Sequence, residues 1–259
     1  MALTDGIIGC WSPSIRGSGY TLPDLSGRGN HGSLTNMDAG TDWPGASVRG
    51  VSGRVLDFDG TNDFVLIGSP QSISGAYPRF TKCLWVLVRQ TAAQKYLYAD
   101  FNTAGSVSRL SISHDTKFKA FQNTATSVTG TTTLNTNEWY FVAVTRNDGT
   151  GASSTGSMIL YVNGLVEAST TYSYTSPSLQ ASGEQLARSN ATFGDYPNAQ
   201  IGEAAMFSRD LSPAEVLHLF KCGNGAIGRE LTGQARRRVY GFVPATGARR
   251  RRILCGGNC

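Results

Sequence analysis

Short apolar runs recur along the chain, each closed by Gly, Asn, Asp or Ser: Val55–Phe58, Phe64–Ile67, Cys83–Val88, Tyr96–Phe101, Arg109–Ser113, Phe118–Phe121, Trp139–Val144, Met158–Val162, Leu165–Ala168 and Gln200–Phe207. Runs of this length, bounded by turn residues, predict the strands of an all-β sandwich or barrel. Trp139–Val144 is apolar at both alternating sets of positions, as a strand covered on both faces must be. Met158–Val162 and Leu165–Ala168 are joined by Asn163-Gly164, the dipeptide that most readily takes the two positive φ angles of a type I′ turn, so they predict a hairpin. One segment has helical period instead. Ser212 offers an N-cap, Pro213 fits the first helical position, Glu215 closes a capping box and Gly223 supplies a stop. Val216, Leu217 and Phe220 would then share the face that packs on the sandwich.

Composition agrees with strands. Gly, Ser and Thr make up 82 of 259 residues, whereas the helix formers Glu and Lys number only six and five. No apolar run reaches 18 residues, which excludes a membrane-spanning helix and any membrane partner of that kind. The formal charge of +5 is unevenly placed: residues 1–222 carry a balance of −2 and residues 223–259 a balance of +7. The chain is therefore expected to divide into a sandwich over 1–222 and a basic arm over 223–259. The N-terminus has no basic region and no apolar stretch of signal-peptide type, so synthesis in a cytoplasm without a signal peptide is expected. Five Cys at scattered positions do not form a disulfide framework, and Cys83 reads as a small buried hydrophobe.

Six segments then fall in a recognisable order: Asp24-Leu-Ser-Gly-Arg-Gly-Asn-His-Gly32, Leu56-Asp-Phe-Asp-Gly-Thr-Asn-Asp-Phe-Val65, the strand around Trp85, Glu138-Trp-Tyr-Phe-Val-Ala-Val144, Leu160-Tyr-Val-Asn-Gly164, and Ile201-Gly-Glu-Ala-Ala-Met-Phe-Ser-Arg-Asp-Leu-Ser212. Together, over about residues 3–222, they resemble laminin-G-like, concanavalin A-like lectin and glucanase domains. The resemblance implies a jelly-roll sandwich of two antiparallel sheets, here with one short C-terminal helix and an extended basic tail.

The chemistry is sparser than the fold. Glucanases of this resemblance carry Glu-x-Asp-x-Glu on one strand, where alternation aims all three carboxylates into a cleft. No such spacing occurs here, and no nucleophile elbow, zinc-protease or phosphate-loop motif takes its place, so the chain is expected not to be an enzyme. Asp59, Asn62 and Asp63 are the one acidic group with the oxygen donors a calcium ion takes; no cofactor is otherwise required. The competing reading is a turn whose side chains bond their own backbone. A weaker idea places zinc on His218, Cys222, Cys255 and Cys259. Trp43, Tyr96 and Tyr196 are the candidates for stacking on sugar rings.

The arm carries Arg236, Arg237 and Arg238, then Tyr240 and Phe242, then Arg249, Arg250, Arg251 and Arg252. Arg forks interleaved with aromatic residues suit an acidic protein surface; nucleic acid is not expected, since no base-reading module accompanies them. A leaderless domain with such an arm resembles virion proteins of tailed bacteriophages. That resemblance implies a non-enzymatic head-decoration or surface-displayed protein on the virion surface. It would be attached through the arm to a capsid or other virion protein, as a homo-oligomer. The alternatives are a calcium-assisted carbohydrate-binding module, with glycans as partners, and, with less support, a glycoside hydrolase.

Overall fold

The computed structural model describes residues 4–17, 19–48, 50–68, 79–101, 110–122, 126–148, 154–174, 183–189 and 195–233. Strands are numbered along the chain, and two antiparallel sheets face each other. The first contains β1 (Ile7–Trp11), β6 (Leu56–Asp59), β8 (Arg79–Val88), β13 (Trp139–Asn147), β14 (Ser154–Val162), β15 (Leu165–Tyr174) and β17 (Asn198–Phe207). Its order is β1-β17-β8-β13-β14-β15, with β6 also on β17. The second contains β2 (Thr21–Leu22), β3 (Gly32–Thr35), β7 (Phe64–Gly68), β9 (Lys95–Phe101), β10 (Ser111–His114), β11 (Phe118–Gln122), β12 (Thr126–Thr129) and β16 (Gly183–Leu186). It is ordered β12-β11-β10-β9-β16-β7-β3-β2. A separate hairpin pairs β4 (Gly45–Val48) with β5 (Val51–Arg54). This is an all-β sandwich, as the strand pattern allows, and the jelly roll that the family resemblance implies.

Each strand of the first sheet that lies at its centre is buried on both faces. In β13, Tyr140, Val142 and Val144 enter the core between the sheets, while Phe141 and Ala143 join a second apolar layer on the outer side. That outer layer is closed by α2 (Pro213–Cys222) and α3 (Ala226–Thr232). The capping box at Ser212 and Glu215 forms as its spacing predicts. Gly223 has φ +77, and a Cβ there would meet the Gly50 carbonyl oxygen at 2.8 Å, so only glycine fits. The packing face of α2 consists of Val216, Leu219 and Cys222; Leu217 and Phe220 are half-buried, with Phe220 stacked on Trp85. The Asn163-Gly164 turn has both residues at positive φ, as expected.

Two further short helices accompany α2: α1 (Pro13–Arg16) and α3. Helix α3 lies past residue 222 and packs on the sandwich through buried Ile227. It is fastened by Glu203, a fully buried residue of β17 whose carboxylate accepts the main-chain N–H groups of Ile227 and Gly228 at 3.1 and 2.7 Å. The basic segment from Arg236 onward, with Tyr240, Phe242 and Arg249 to Arg252, lies outside the described residues. No helix among the described residues is long and apolar enough to cross a membrane.

Across the core, Lys82 of β8 reaches Glu184 of β16 at 2.7 Å, with both side chains 1% exposed. The same ammonium donates to the Leu110 carbonyl at 2.7 Å and stands 4.7 Å from the centre of the Tyr98 ring. This cross-brace fixes β16 on the first sheet from behind.

A candidate site of aromatic and unpaired polar groups

Side chains of the second sheet alternate between the core and its outer face. On β10, Ile112 enters the core, so Ser113 points outward; on β11, Phe118 and Ala120 enter it and Phe121 points outward. On β7, Val65 and Ile67 face the core, leaving Phe64 and Leu66 outside. Strand β9 breaks the rule. Ile112 pairs with Tyr98 and Ser113 with Tyr96, leaving Leu97 as an extra residue between them. This β-bulge puts Tyr98 into the core and Tyr96 on the outer face, where its ring meets Phe121 at 6.0 Å between centroids.

The end of β16 holds a second irregularity opposite the first. Ala187 has φ +63, a left-handed conformation that costs a non-glycine residue roughly 1 kcal/mol, and its N–H donates to the Leu97 carbonyl at 2.9 Å. The chain then delivers Arg188, whose guanidinium lies 4.2 Å from the Phe64 ring centre, and Ser189, whose hydroxyl donates to Asp195 at 2.7 Å. Tyr196 completes the group at 6.4 Å from Phe64. A row therefore crosses the sheet from Phe121 through Ser113, Tyr96 and Arg188 to Phe64 and Tyr196.

Its polar atoms are what set it apart. Ser113 Oγ, Gln185 Oε1, Arg188 Nε and Asp195 Oδ1 are all buried without a hydrogen-bond partner among the described residues. Ser113 and Gln185 are 0% and 1% exposed. A buried polar atom left unpaired costs on the order of 1–3 kcal/mol, so Ser113, Arg188 and Asp195 along the row, with Gln185 three residues further along the same outer face, form an uncommon concentration of such atoms. The phenol of Tyr96 is raised above its ordinary pKa, by burial first and then by the charge of Asp195, while Gln94 donates to its oxygen at 3.0 Å.

The row contains Tyr96 and Tyr196 of the three aromatic residues singled out from the sequence. Trp43 is elsewhere: it is 8% exposed, belongs to the core, and donates its indole N–H to the Gly19 carbonyl at 2.9 Å. It is a packing residue. Gln185, Arg188 and Asp195 carried no local motif; Phe64, Ser113 and Phe121 were read only as strand residues, and the sheet register and the contacts after β16 bring all six to one face.

The acidic group expected to take calcium closes the β6–β7 turn. Asp63 accepts the Asp59 N–H at 3.0 Å, Asp59 accepts the Thr61 N–H at 2.7 Å, and the Asn62 carbonyl accepts from Asn36. Burial, reinforced by the charges of Asp59 and Asp42, lifts the Asp63 carboxyl to about 6. Among the described residues no three His, Cys, Asp or Glu side chains stand together as a metal cage. His218 and Cys222 do meet, at 3.5 Å on one face of α2; Cys255 and Cys259 lie outside the described residues.

A groove of about 670 Å³ also opens on the outer side of the first sheet, beside the start of α2. Its charges satisfy one another: Arg79 with Asp210 at 3.6 Å, Asn147 with Asp210 at 2.9 Å, and Arg209 with Glu215 at 2.7 Å. None of its described lining residues carries a buried unpaired polar atom.

With this geometry in place, the relatives can be set beside it. Residues 59–217 match the laminin-G-type model described as the concanavalin A-like lectin/glucanases superfamily, and the chain belongs to that family. No curated protein matches the sequence. Among solved structures, a mutant of Trypanosoma rangeli sialidase displaying trans-sialidase activity superposes with a TM-score of 0.62 at 18% identity, over 85% of this chain and 33% of that one. The binding domain of Paraclostridial Mosquitocidal Protein 1 gives 0.60 at 15%, over 85% and 52%. The receptor binding domain of botulinum neurotoxin D gives 0.59 at 12%, over 85% and 53%. The chain thus spans about a third of the sialidase and about half of each toxin domain, and at these identities the likeness is one of fold.

These findings correct two expectations. The reading as a head-decoration or surface-displayed virion protein is overturned, because the neighbours are sialidases and toxin binding domains. The expectation that the chain is not an enzyme also falls, because sialidases, which are glycoside hydrolases, share this fold. It had rested on the absence of one glucanase motif, and a missing motif excludes only the arrangement it encodes.

Proposed function

We propose that this domain is a carbohydrate-binding module whose sugar site is the row from Phe121 to Tyr196. The observation that carries the reading is that two aromatic pairs, Tyr96 with Phe121 and Phe64 with Tyr196, share one sheet face with four buried polar atoms that the described protein does not pair. Sugars present apolar ring faces and a fringe of hydroxyl groups, which are the two complements such a row requires. Membership of a lectin-containing family supports the reading.

A glycan array probed with the wild-type protein and with Tyr96→Ala and Tyr196→Ala tests it. The wild type is expected to bind a defined set of glycans. Each variant should weaken that binding by about 1 kcal/mol, roughly fivefold, with no change in melting temperature. Equal binding by wild type and both variants would move the site elsewhere. Repeating the array in chelator separates direct contact, which persists, from a contribution of calcium at the Asp59–Asp63 turn, which is lost.

A further inference from the structure

The unpaired atoms of the row are not an even mixture of donors and acceptors. Gln185 Oε1 and Asp195 Oδ1 accept only, Ser113 Oγ both accepts and donates, and Arg188 Nε alone is purely a donor. Resting on the sugar-binding reading above, we propose that the site selects uncharged saccharides, recognised through their hydroxyl hydrogens, over acidic ones. A neutral sugar hydroxyl donates one hydrogen and accepts others, so hydroxyls spaced along a saccharide can serve Asp195, Gln185 and Arg188. A carboxylate or sulfate set against Gln185 or Asp195 brings acceptors alone and leaves those two atoms unpaired. It also meets the Asp195 carboxylate, which Ser189 holds within the row. The face of the Arg188 guanidinium rests on Phe64, which leaves its in-plane N–H groups to the ligand.

The positions suggest more than one sugar ring. Ser113 pairs with Tyr96, whereas Gln185 pairs with Ala99, three residues further along β9. Two strand spacings of about 4.8 Å and an offset of three residues at about 3.3 Å each put Ser113 and Gln185 about 14 Å from each other, the span of about three linked rings. Tyr96 lies between them as a stacking platform.

Isothermal titration with lactose, cellotriose, maltotriose and chitotriose as neutral probes, and sialyllactose, digalacturonic acid and a sulfated heparin disaccharide as acidic ones, decides the matter. At least one neutral probe is expected to bind at least tenfold more tightly than every acidic one. Its Kd should change less than twofold between about 50 and about 500 mM NaCl, since no ion pair is screened. Gln185→Leu and Asp195→Ala should each weaken that probe about tenfold or more, because a ligand hydroxyl loses its acceptor, and Gln185→Leu, which removes a buried unpaired acceptor, should do so without lowering the melting temperature. Gln185→Glu keeps the acceptor and should retain binding, which guards against a packing artefact at Gln185. Tightest binding by an acidic probe, with Kd rising tenfold or more with salt, would overturn the proposal while leaving sugar binding intact. Neutral binding insensitive to both Gln185→Leu and Asp195→Ala would overturn it too. Failure of every probe, neutral and acidic, would instead strike the sugar-binding reading itself.

Discussion

Replacing Glu203 by Gln tests how the fold holds its last described helix. Glu203 is fully buried, and burial lifts its carboxyl to about 7 from an ordinary 4.5, against the opposing pull of the Gly228 and Ile227 N–H groups and the Arg229 charge. The groups facing it are Cys10, whose thiol lies 3.8 Å away, Ser12, and Arg229, whose guanidinium is engaged by the carbonyls of Asn224 and Cys222. Because the folded chain holds this proton more tightly than the unfolded chain, the linked stability is complete below pH 4.5. It declines as pH rises and is gone above pH 7. At about 1.4 kcal/mol per pH unit the loss is about 3 kcal/mol. Gln cannot ionise, and its amide presents one acceptor where the carboxyl presents two, so Glu203→Gln should be about 1 kcal/mol less stable than wild type at pH 4.5. It should become about 2 kcal/mol more stable at pH 8.5. Urea unfolding followed by tryptophan fluorescence at half-unit pH steps reads the difference, and the subtraction cancels groups common to both proteins. Those include Asp63, raised to about 6, and His114, lowered to about 4 chiefly by burial. A difference constant to within about 0.5 kcal/mol across this range would refute the reasoning.

Other perturbations follow from the same contacts. Burial of Glu167 is outweighed by hydrogen bonds from the hydroxyls and N–H groups of Thr131 and Thr132, which hold its carboxyl at about 2. The stability it gives should be lost as pH falls from 4.5 through 2, and Glu167→Gln should cost about 1 kcal/mol at pH 7 after allowance for solvent screening, measured by urea midpoint. Lys82→Met removes the cation beside buried Glu184 and should cost about 3–5 kcal/mol, whereas Lys82→Met with Glu184→Leu should recover most of it; losses that simply add in a double-mutant cycle would show the pair uncoupled. Ala187→Gly relieves a left-handed alanine and should raise stability by about 0.5–1 kcal/mol in thermal unfolding, without altering glycan binding.

The strand framework was legible because a half-buried sheet writes its period into the sequence: the Asn163-Gly164 hairpin, the doubly covered Trp139–Val144 strand and the capped helix at Ser212 all stand where local pattern placed them. Strands β1 to β5, β12 and β16 were not legible. They are short, or rich in Gly, Ser and Thr, and gain their order from neighbours far along the chain, as β16 does between β7 and β9. Helix α3 was missed because Gly225 offers no capping side chain; its N-terminal partner is Glu203, more than twenty residues earlier. The candidate site was half legible. Tyr96 and Tyr196 could be named as aromatic residues, but a lone serine, glutamine, arginine or aspartate has no signature until register brings Ser113, Gln185, Arg188 and Asp195 to one face. Trp43 misled because its size and its polar N–H suit a core position as well as a sugar platform.

The extra residue at Leu97 and the left-handed Ala187 are joined by one main-chain hydrogen bond. The contour of the row is therefore written into the backbone, behind the side chains that line it. A library that randomises Ser113, Tyr96, Arg188 and Tyr196 should leave that contour standing, so that new ligand preferences can be selected on an unchanged fold. Insertion or deletion at either irregularity should do the opposite, erasing the contour while every lining residue is still present.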